Sequence, residues 1–240
     1  GVNVFMEKPV AVDPVGYRSV VETGKIAEQK NLAVVAGTQK RHQAHYIEVM
    51  KRIHDGAIGE IRAAQAWYNT GGLWHVERKP EMSDMEWQCR NWLYFTWLSG
   101  DHIVEQHIHN LDVIYWALQA LPRKINGMGG RQSRVDPHYG NIYDHFAVEF
   151  DYENGVRVAS YCRQQVNCAN QVCDRIIGTK GEVYLDGAVG IITGENPYKY
   201  EGENWNPQVR EHADMIASIR SGRPLNHARR IAESSLMAIA

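Results

Sequence analysis

The stretch Val2-Asn3-Val4-Phe5-Met6-Glu7-Lys8-Pro9 opens the chain and decides how its fold is interpreted. Its first five residues form a short apolar run, which predicts a β-strand. Asp13-Pro14 then places a capping residue before a proline at the first helical position, so a helix is expected from there to about Lys30. Leu32–Gly37 is apolar again, as in a buried strand. This β-α-β order is the building unit of a doubly wound parallel sheet.

The order of elements changes beyond this unit. A second helix is expected at about His42–His54, and Glu60–Thr70 reads as a strand with partial alternation. Residues 71–101 form a long irregular stretch with several tryptophans, and a further helix follows it. Two helices, at about Pro207–Ser221 and His227–Ala240, close the sequence. Between these helical regions, short turn signals separate consecutive strands, which predicts a mainly antiparallel sheet from Lys124–Met128, His145–Tyr152, Val156–Gln164, Asp174–Ile177, Glu182–Leu185 and Gly190–Thr193.

The predicted fold therefore has two parts. Residues 1–40 form the end of an α/β domain, and residues 41–240 form an α+β domain with an open, mainly antiparallel sheet. The predicted fold class is accordingly α/β + α+β. We also expect a truncated chain, because it starts with Gly1 rather than Met directly in a strand, and it ends in an uncapped helical run at Ala240.

Composition and charge exclude several classes of partner. The 240 residues are 44% hydrophobic and 22% charged, and a net charge of −2 gives no general reason to bind nucleic acid or an anionic membrane. Apolar runs such as Leu32–Ala36 are far too short to cross a bilayer. The four cysteines show no C-x-x-C spacing, so we expect reduced thiols, with a disulfide between two of the last three left open: Cys89, Cys162, Cys168 and Cys173.

A second informative stretch, Glu105-Gln106-His107-Ile108-His109-Asn110-Leu111-Asp112, combines ionisable side chains with an apolar helical repeat. Glu105 and His109, at positions i and i+4, are expected one turn apart on the same face. A hydrogen bond between them would fix the imidazole tautomer and raise its basicity, as in a general base. At about 100° per residue, one arc of about 80° holds His102, Glu105, His109 and Asp112.

Other interpretations of these residues stay open at this point. A core histidine beside an acid at a subunit contact would show the same spacing. His102, Glu105 and His109 also suit a zinc or iron site, but H-E-x-x-H is absent and no second ligand cluster is evident, so no metal is predicted. His107 falls in the apolar arc and is expected to be buried, neutral and bonded to a backbone carbonyl. Lys8, at a strand end, could stabilise developing negative charge or be a solvated surface lysine.

Five short motifs follow one another in order along almost the whole chain: Glu7-Lys8-Pro9 after a strand, Gly56–Ile61 at a helix end, Glu105…His109…Asp112 on a helix, Ile177–Glu182 before a strand and Ile219–Pro224 between helices. Together they resemble the glucose–fructose oxidoreductase / inositol dehydrogenase / MocA (Gfo/Idh/MocA) family. Two positions depart from the family pattern, which usually has Asp in place of Glu105 and Gly in place of His107.

The resemblance implies an oxidoreductase that uses NAD or NADP as its cofactor. Such an enzyme transfers a hydride between nicotinamide and a secondary hydroxyl of a sugar, cyclitol or related polyol. Residues 1–40 would be the remnant of a Rossmann domain, and residues 41–240 the substrate-binding and oligomerisation domain. The Gly-rich turn of the Rossmann domain would precede Gly1, so the chain alone is expected to be inactive. A homo-oligomer formed through the C-terminal sheet is also implied.

The same resemblance assigns roles to individual residues. Lys8 would be the active-site lysine, His109 the acid/base, and Glu105 its carboxylate partner. The aromatic stretch could stack its rings on a sugar, although core packing or an oligomer interface explains it equally well. The implied cofactor-binding residues are Glu7, Lys8, Pro9 and Gln39. The implied substrate-binding residues are Lys8, Trp97, His109 and Asp112.

Two rival functions and several properties stay open. Some relatives in the family cleave glycosidic bonds through transient oxidation and elimination with tightly bound NAD, without net cofactor reduction. A non-catalytic sugar-binding protein on the same fold is the second rival. The sequence does not identify the polyol or choose between NAD and NADP. Cytoplasmic localisation is the default expectation, and periplasmic export stays open because any leader would precede Gly1.

Overall fold

A parallel β-α-β unit opens the fold in the computed structural model, which describes residues 1–240. Strands β1 (Val4–Met6) and β2 (Val34–Ala36) pair in parallel, and helix α1 (Pro14–Gln29) connects them. The Asp13 side chain caps α1 by accepting a hydrogen bond from the backbone of its first turn. The predicted β-α-β unit is therefore confirmed, with both strands two residues shorter at their start and β2 one residue shorter at its end.

Eight further strands form one open sheet: β3 (Ile61–Thr70), β4 (Lys124–Gly130), β5 (His145–Asp151), β6 (Arg157–Gln164), β7 (Gln171–Gly178), β8 (Gly181–Asp186), β9 (Gly190–Gly194) and β10 (Tyr198–Lys199). Their order across the sheet is β10-β9-β8-β7-β3-β6-β5-β4. All neighbouring pairs are antiparallel except β3 and β6, which run parallel. The prediction of a mainly antiparallel open sheet is confirmed, and β10 is an addition to it.

Helices cover the inner face of this sheet and enclose the main core. Alternate side chains of the strands point inward, and they pack against the apolar faces of the second and sixth helices. Three 3-10 turns, at Gln39–His42, Trp92–Tyr94 and Pro137–Tyr139, complete the structure. The helices after α1 are α2 (Ala44–His54), α3 (Asp84–Arg90), α4 (Thr96–Ser99), α5 (His102–Glu105), α6 (Ile108–Leu118), α7 (Pro207–Arg220) and α8 (Ala228–Ile239).

The stretch 71–101 is partly helical rather than irregular throughout, since it contains α3 and α4. Leu93, Tyr94 and Phe95 of this stretch form a small core of their own together with Ile142. Core packing therefore accounts for much of the aromatic content that the sequence displays here.

The last segment of the chain joins the two predicted parts. Val34 N donates a hydrogen bond of 2.9 Å to Leu225 O, so this segment lines the free edge of β2. Helix α8 then packs against α1 on one side and against α6 on the other. The division into residues 1–40 and 41–240 stays a prediction, because no domain boundary is tested by these contacts.

Two further predictions concern thiols and membranes. All four cysteines are free thiols; Cys162 and Cys173 are buried, whereas Cys89 and Cys168 are exposed. The disulfide that the sequence left open is therefore absent from the structure. None of the helices combines the length and the apolar character needed to cross a membrane.

Candidate active site

The helix predicted to begin after Asp101 is interrupted between α5 and α6. His102 O accepts hydrogen bonds of 3.1 Å from both Gln106 N and His107 N, and the second bond spans five residues. This is a π-type turn, which inserts one residue into a helix. The residues after it are rotated by about 100° relative to an uninterrupted helix. The prediction of one continuous helical face was therefore wrong.

Glu105 pairs with Lys8 rather than with His109. Lys8 Nζ lies 3.8 Å from Glu105 Oε2, and it also donates a hydrogen bond to Glu105 O. No hydrogen bond joins Glu105 to His109, so the predicted carboxylate–imidazole pair was wrong, because the π-type turn changes the register of α6. Lys8 lies two residues after the end of β1, so the ion pair links the parallel unit to α5.

Burial gives both partners unusual proton affinities. It raises the pKa of Glu105 to about 7, although the charge of Lys8 and the amides of Gln164 and Gln106 oppose this rise. Burial also lowers the pKa of Lys8, against the attraction of Glu105 and Glu7. A carboxyl group that titrates near neutral pH can take up or release a proton in catalysis.

His109 is a buried neutral imidazole near two lysines. Its Nδ1 atom has no hydrogen-bond partner. Burial lowers the pKa of His109 well below its usual range, and the charges of Lys8 and Lys40 lower it further. A neutral imidazole keeps a ring nitrogen free to accept a proton, as the predicted acid/base role requires. Its lowered pKa is the opposite of the raised basicity that was predicted from a Glu105 partner. The alternative metal ligands do not converge, since no three His, Cys, Asp or Glu side chains could hold a metal ion.

Asp112 is committed to a structural ion pair, which contradicts its predicted role in substrate binding. Its Oδ2 accepts from Arg41 Nε at 2.8 Å, while Oδ1 accepts from Arg41 Nη2 at 2.9 Å and from Ser234 Oγ at 2.7 Å. The carboxylate is only 1% exposed. Both oxygens are occupied by protein donors, one from the 3-10 turn Gln39–His42 and one from α8, so neither is free for a substrate.

Trp97, the second side chain predicted to bind substrate, lies on α4 and is 50% exposed. Its Nε1 donates a hydrogen bond of 2.8 Å to Gln88 Oε1, and it forms none with Lys8 or His109. The structure thus pairs Lys8 with Glu105 and places His109 within electrostatic reach of Lys8, whereas Trp97 contacts Gln88 instead.

The predicted cofactor-binding residues lie at one edge of the parallel pair. Glu7-Lys8-Pro9 follow β1 and Gln39 follows β2, so they flank the adjacent carboxyl ends of both strands. The Glu7 carboxylate packs closely against Gly37, so a Cβ at this position would displace the carboxylate. A buried ammonium, a carboxylate and an amide at strand ends fit the nicotinamide end of a dinucleotide. No Gly-rich phosphate turn is present in the 240 residues.

A second group of buried polar residues near Glu105 was missed at the sequence level. Arg134 Nη1 donates to Gln164 Oε1 at 2.5 Å, and the rings of Tyr94 and Tyr139 lie 5.6 and 5.3 Å from the guanidinium. Gln164 ends a predicted strand, which is a weak positional signal. Arg134 comes from an irregular loop, and no spacing pattern in the sequence marks it.

Comparisons with known proteins agree with this architecture. The sequence model of the GFO/IDH/MocA C-terminal domain matches residues 46–184. A relative from Mediterraneibacter gnavus, the 2,7-anhydro-N-acetylneuraminate hydratase, is 26% identical over 238 residues, which cover 93% of this chain and 58% of the relative. The chain spans only 38% to 58% of the length of the three curated relatives that it matches.

Solved structures show the same fold. The aldose-aldose oxidoreductase from Caulobacter crescentus, complexed with glycerol, has a TM-score of 0.75 at 20% identity. The match covers 98% of this chain and 68% of the oxidoreductase. An oxidoreductase from Agrobacterium radiobacter in complex with NAD+, L-tartaric acid and magnesium has a TM-score of 0.70 at 17% identity, covering 99% and 69%. Because the domain model matches more than half of the 240 residues, the chain belongs to the Gfo/Idh/MocA family of oxidoreductases.

Proposed function

We propose that this chain is part of an NAD(P)-dependent oxidoreductase acting on a secondary hydroxyl of a sugar, cyclitol or related polyol. One observation carries the proposal: the buried Lys8–Glu105 pair lies at the carboxyl end of a parallel strand, with neutral His109 nearby. The glycerol complex and the complex with NAD+ and tartaric acid support it, since both hold hydroxyl-bearing ligands in the same fold. The choice between NAD and NADP stays open.

The residues of this chain would handle the proton and the oxygen of the substrate. His109 is neutral, so it accepts the hydroxyl proton. Lys8 Nζ donates to the substrate oxygen and stabilises its developing negative charge. Glu105 holds Lys8 in place and adds a carboxyl group that titrates near neutral pH. The bound nicotinamide supplies the hydride chemistry.

The test uses the whole oxidoreductase of which we propose that this chain is a part. Reduced nicotinamide is followed in the steady state with NAD+ or NADP+ and a panel of polyols and sugars that includes glycerol, myo-inositol and tartrate. Lys8→Met and His109→Asn should each lower kcat/KM by about 10²- to 10⁴-fold, because each removes a group that handles charge or a proton.

Matched controls come from α2, where Lys51 and His54 are exposed to solvent. Lys51→Met and His54→Asn remove the same chemical groups far from the Lys8–Glu105 pair, and both should keep the wild-type rate. Near-wild-type kcat/KM in His109→Asn would overturn its role as the proton acceptor.

A second candidate is cleavage of a sugar's cyclic or glycosidic bond through transient oxidation and elimination. The Mediterraneibacter gnavus relative, a 2,7-anhydro-N-acetylneuraminate hydratase, is the observation that favours it. This route consumes 2,7-anhydro-N-acetylneuraminate in the presence of NAD+ without accumulating reduced cofactor. Binding of polyols with no turnover in either assay would instead favour the non-catalytic sugar-binding protein.

We also propose a partner and a compartment. The partner is a second copy of the chain, bound through the outer face of the eight-stranded sheet. On that face the side chains of Met128, Tyr161 and Tyr184 are 77%, 40% and 36% exposed. The rings of Trp67 and Tyr161 stack there, with their centroids 6.3 Å apart. The four free thiols fit a reducing compartment, so the cytoplasm is the proposed location.

A further inference from the structure

Hydrogen bonds to the eight-stranded sheet hold the π-type turn between α5 and α6 in place. Tyr68 OH, on the central strand β3, donates to Gln106 Oε1 at 2.9 Å. His107 Nε2 lies 2.6 Å from Ser160 Oγ, on the neighbouring strand β6. Both residues of the turn are therefore bonded to the sheet, and to different strands.

A third strand holds the first turn of α6. Asn110 Nδ2 donates to Asp174 Oδ1 at 2.9 Å and to Cys173 O at 3.1 Å, both on β7. Lys40 Nζ, from the 3-10 turn Gln39–His42, donates to Asp174 Oδ2 at 3.1 Å. Asn110 directly follows His109, so this cluster supports the backbone of the candidate acid/base.

The His107–Ser160 pair lies in the middle of these contacts. His107 is fully buried and Ser160 is 1% exposed. The sequence-based expectation that His107 is buried was right, but its partner is a side-chain hydroxyl rather than a backbone carbonyl. Two apolar side chains could fill this space without the cost of desolvating polar groups. The hydrogen bond between His107 and Ser160 therefore fixes the position of the π-type turn more than it stabilises the fold.

We propose that His107, anchored on Ser160, is a positioning residue that holds the π-type turn so that Glu105 and His109 both face the Lys8 side of the site. Glu105 and His109 lie two residues before and two residues after His107, so a displaced turn moves both. Helix α5 has only four residues and cannot keep its direction by itself. The importance of this position for catalysis rests on the proposed function, but the experiment that tests the positioning does not.

The test records long-range ¹H–¹⁵N spectra of the histidine rings in the 240-residue chain, with His109→Gln to assign the His109 signals. The charged and titratable groups that act on His109 are Lys8 after β1, Lys40 on the 3-10 turn, and Asp112 and His107 on its own segment. In the wild type, His109 should stay neutral throughout the pH range in which an ordinary histidine titrates.

Ser160→Ala and His107→Ala should let water reach His109. The pKa of His109 would then rise and its titration would enter this pH range, because burial is the main cause of its low pKa. His107→Gln should restore the wild-type spectrum, since a glutamine amide reaches roughly where Nε2 lies and can still bond to Ser160. Ser235→Ala is the matched control, because it removes an equally buried hydroxyl on α8.

A neutral His109 in Ser160→Ala and His107→Ala, even with lower thermal stability, would overturn the proposal and leave His107 as a packing residue. If His107→Ala does not fold, Ser160→Ala decides the question, because it removes a single oxygen atom. The measurement needs no turnover, so failure of the hydride-transfer assays would leave this result intact. An unaltered His109 spectrum would equally leave those assays valid.

Discussion

Single residues in this site obtain their reactivity from burial. The Glu105 carboxyl group is 1% exposed, and its oxygens accept no hydrogen bond of normal length. Lys8 is the nearest cation, but at 3.8 Å it offsets only part of the cost of desolvation. The property that makes Glu105 a candidate proton carrier near neutral pH therefore also destabilises the folded state.

We expect Glu105→Gln to become more stable relative to the wild type as the pH rises. The folded-state pKa of about 7 lies above the ordinary value of 4.5, so the wild type loses stability as the pH rises through this window and loses no more above it. Glutamine does not titrate, so the difference in the free energy of unfolding should grow by about 3 kcal/mol. Urea denaturation at a series of pH values measures it, with exposed Glu22→Gln as the control. A difference that does not change with pH would contradict the raised pKa.

Site residues could be predicted from the sequence where type and strand position coincide. Lys8 follows a short apolar strand, and an acid and a histidine follow an aromatic stretch, so all three were predicted and the structure brings Lys8 and Glu105 together. The side chain with which each of these residues pairs was predicted less well, because the pairing depends on the register of the helix. Asp112 shares the spacing of a ligand but contacts Arg41, a residue with no visible link to it in the sequence.

Elements were predicted best where apolar residues repeat with a clear period. The strands from β3 to β9 alternate or carry apolar runs between turn signals, so their bounds agree to within about three residues. Helices α3 and α4 have seven and four residues and show no repeat, since packing rather than propensity stabilises such short helices. A π-type turn also leaves no trace in a periodic pattern, because it needs only one extra residue.

Asp112 connects three elements, because it lies on α6, pairs with Arg41 of the 3-10 turn and accepts from Ser234 on α8. We expect Asp112→Asn to lower the free energy of unfolding near neutral pH by about 3–5 kcal/mol, since it leaves the Arg41 guanidinium uncompensated in a nearly buried position. Urea denaturation measures this loss. Asp55→Asn, at an exposed position after α2, is the matched control.

The effect of Asp112→Asn should also depend on pH. Burial would raise the pKa of Asp112, but Arg41, Arg230 and Ser234 outweigh it and lower the pKa to about 2. A lowered pKa contributes stability that is present above the ordinary value of 3.8 and is lost as the pH falls through about 2. The difference between wild type and variant should therefore narrow in acid, and an unchanged difference would contradict the ion pair.

At the scale of the whole molecule, the two faces of the eight-stranded sheet have different roles. Its inner face carries Tyr68, Ser160 and Asp174, which hold the turn beside the candidate active site. Its outer face carries exposed aromatic and apolar side chains on the opposite side. Because successive residues of a strand point to opposite faces, a substitution on the outer face leaves the inner contacts in place.

This separation allows the proposed self-association to be tested without disturbing the site. Tyr161→Glu places a charge on the outer face, and burying it between two copies should raise the dimer dissociation constant at least about 100-fold, or about 3 kcal/mol. Sedimentation velocity over a range of concentrations measures the change. Val209→Glu, at a more exposed apolar position on α7, should leave association unchanged. A wild-type chain that stays monomeric at every concentration would contradict the interface, whereas a monomeric Tyr161→Glu with an unaltered His109 spectrum would show that the site is built within one copy.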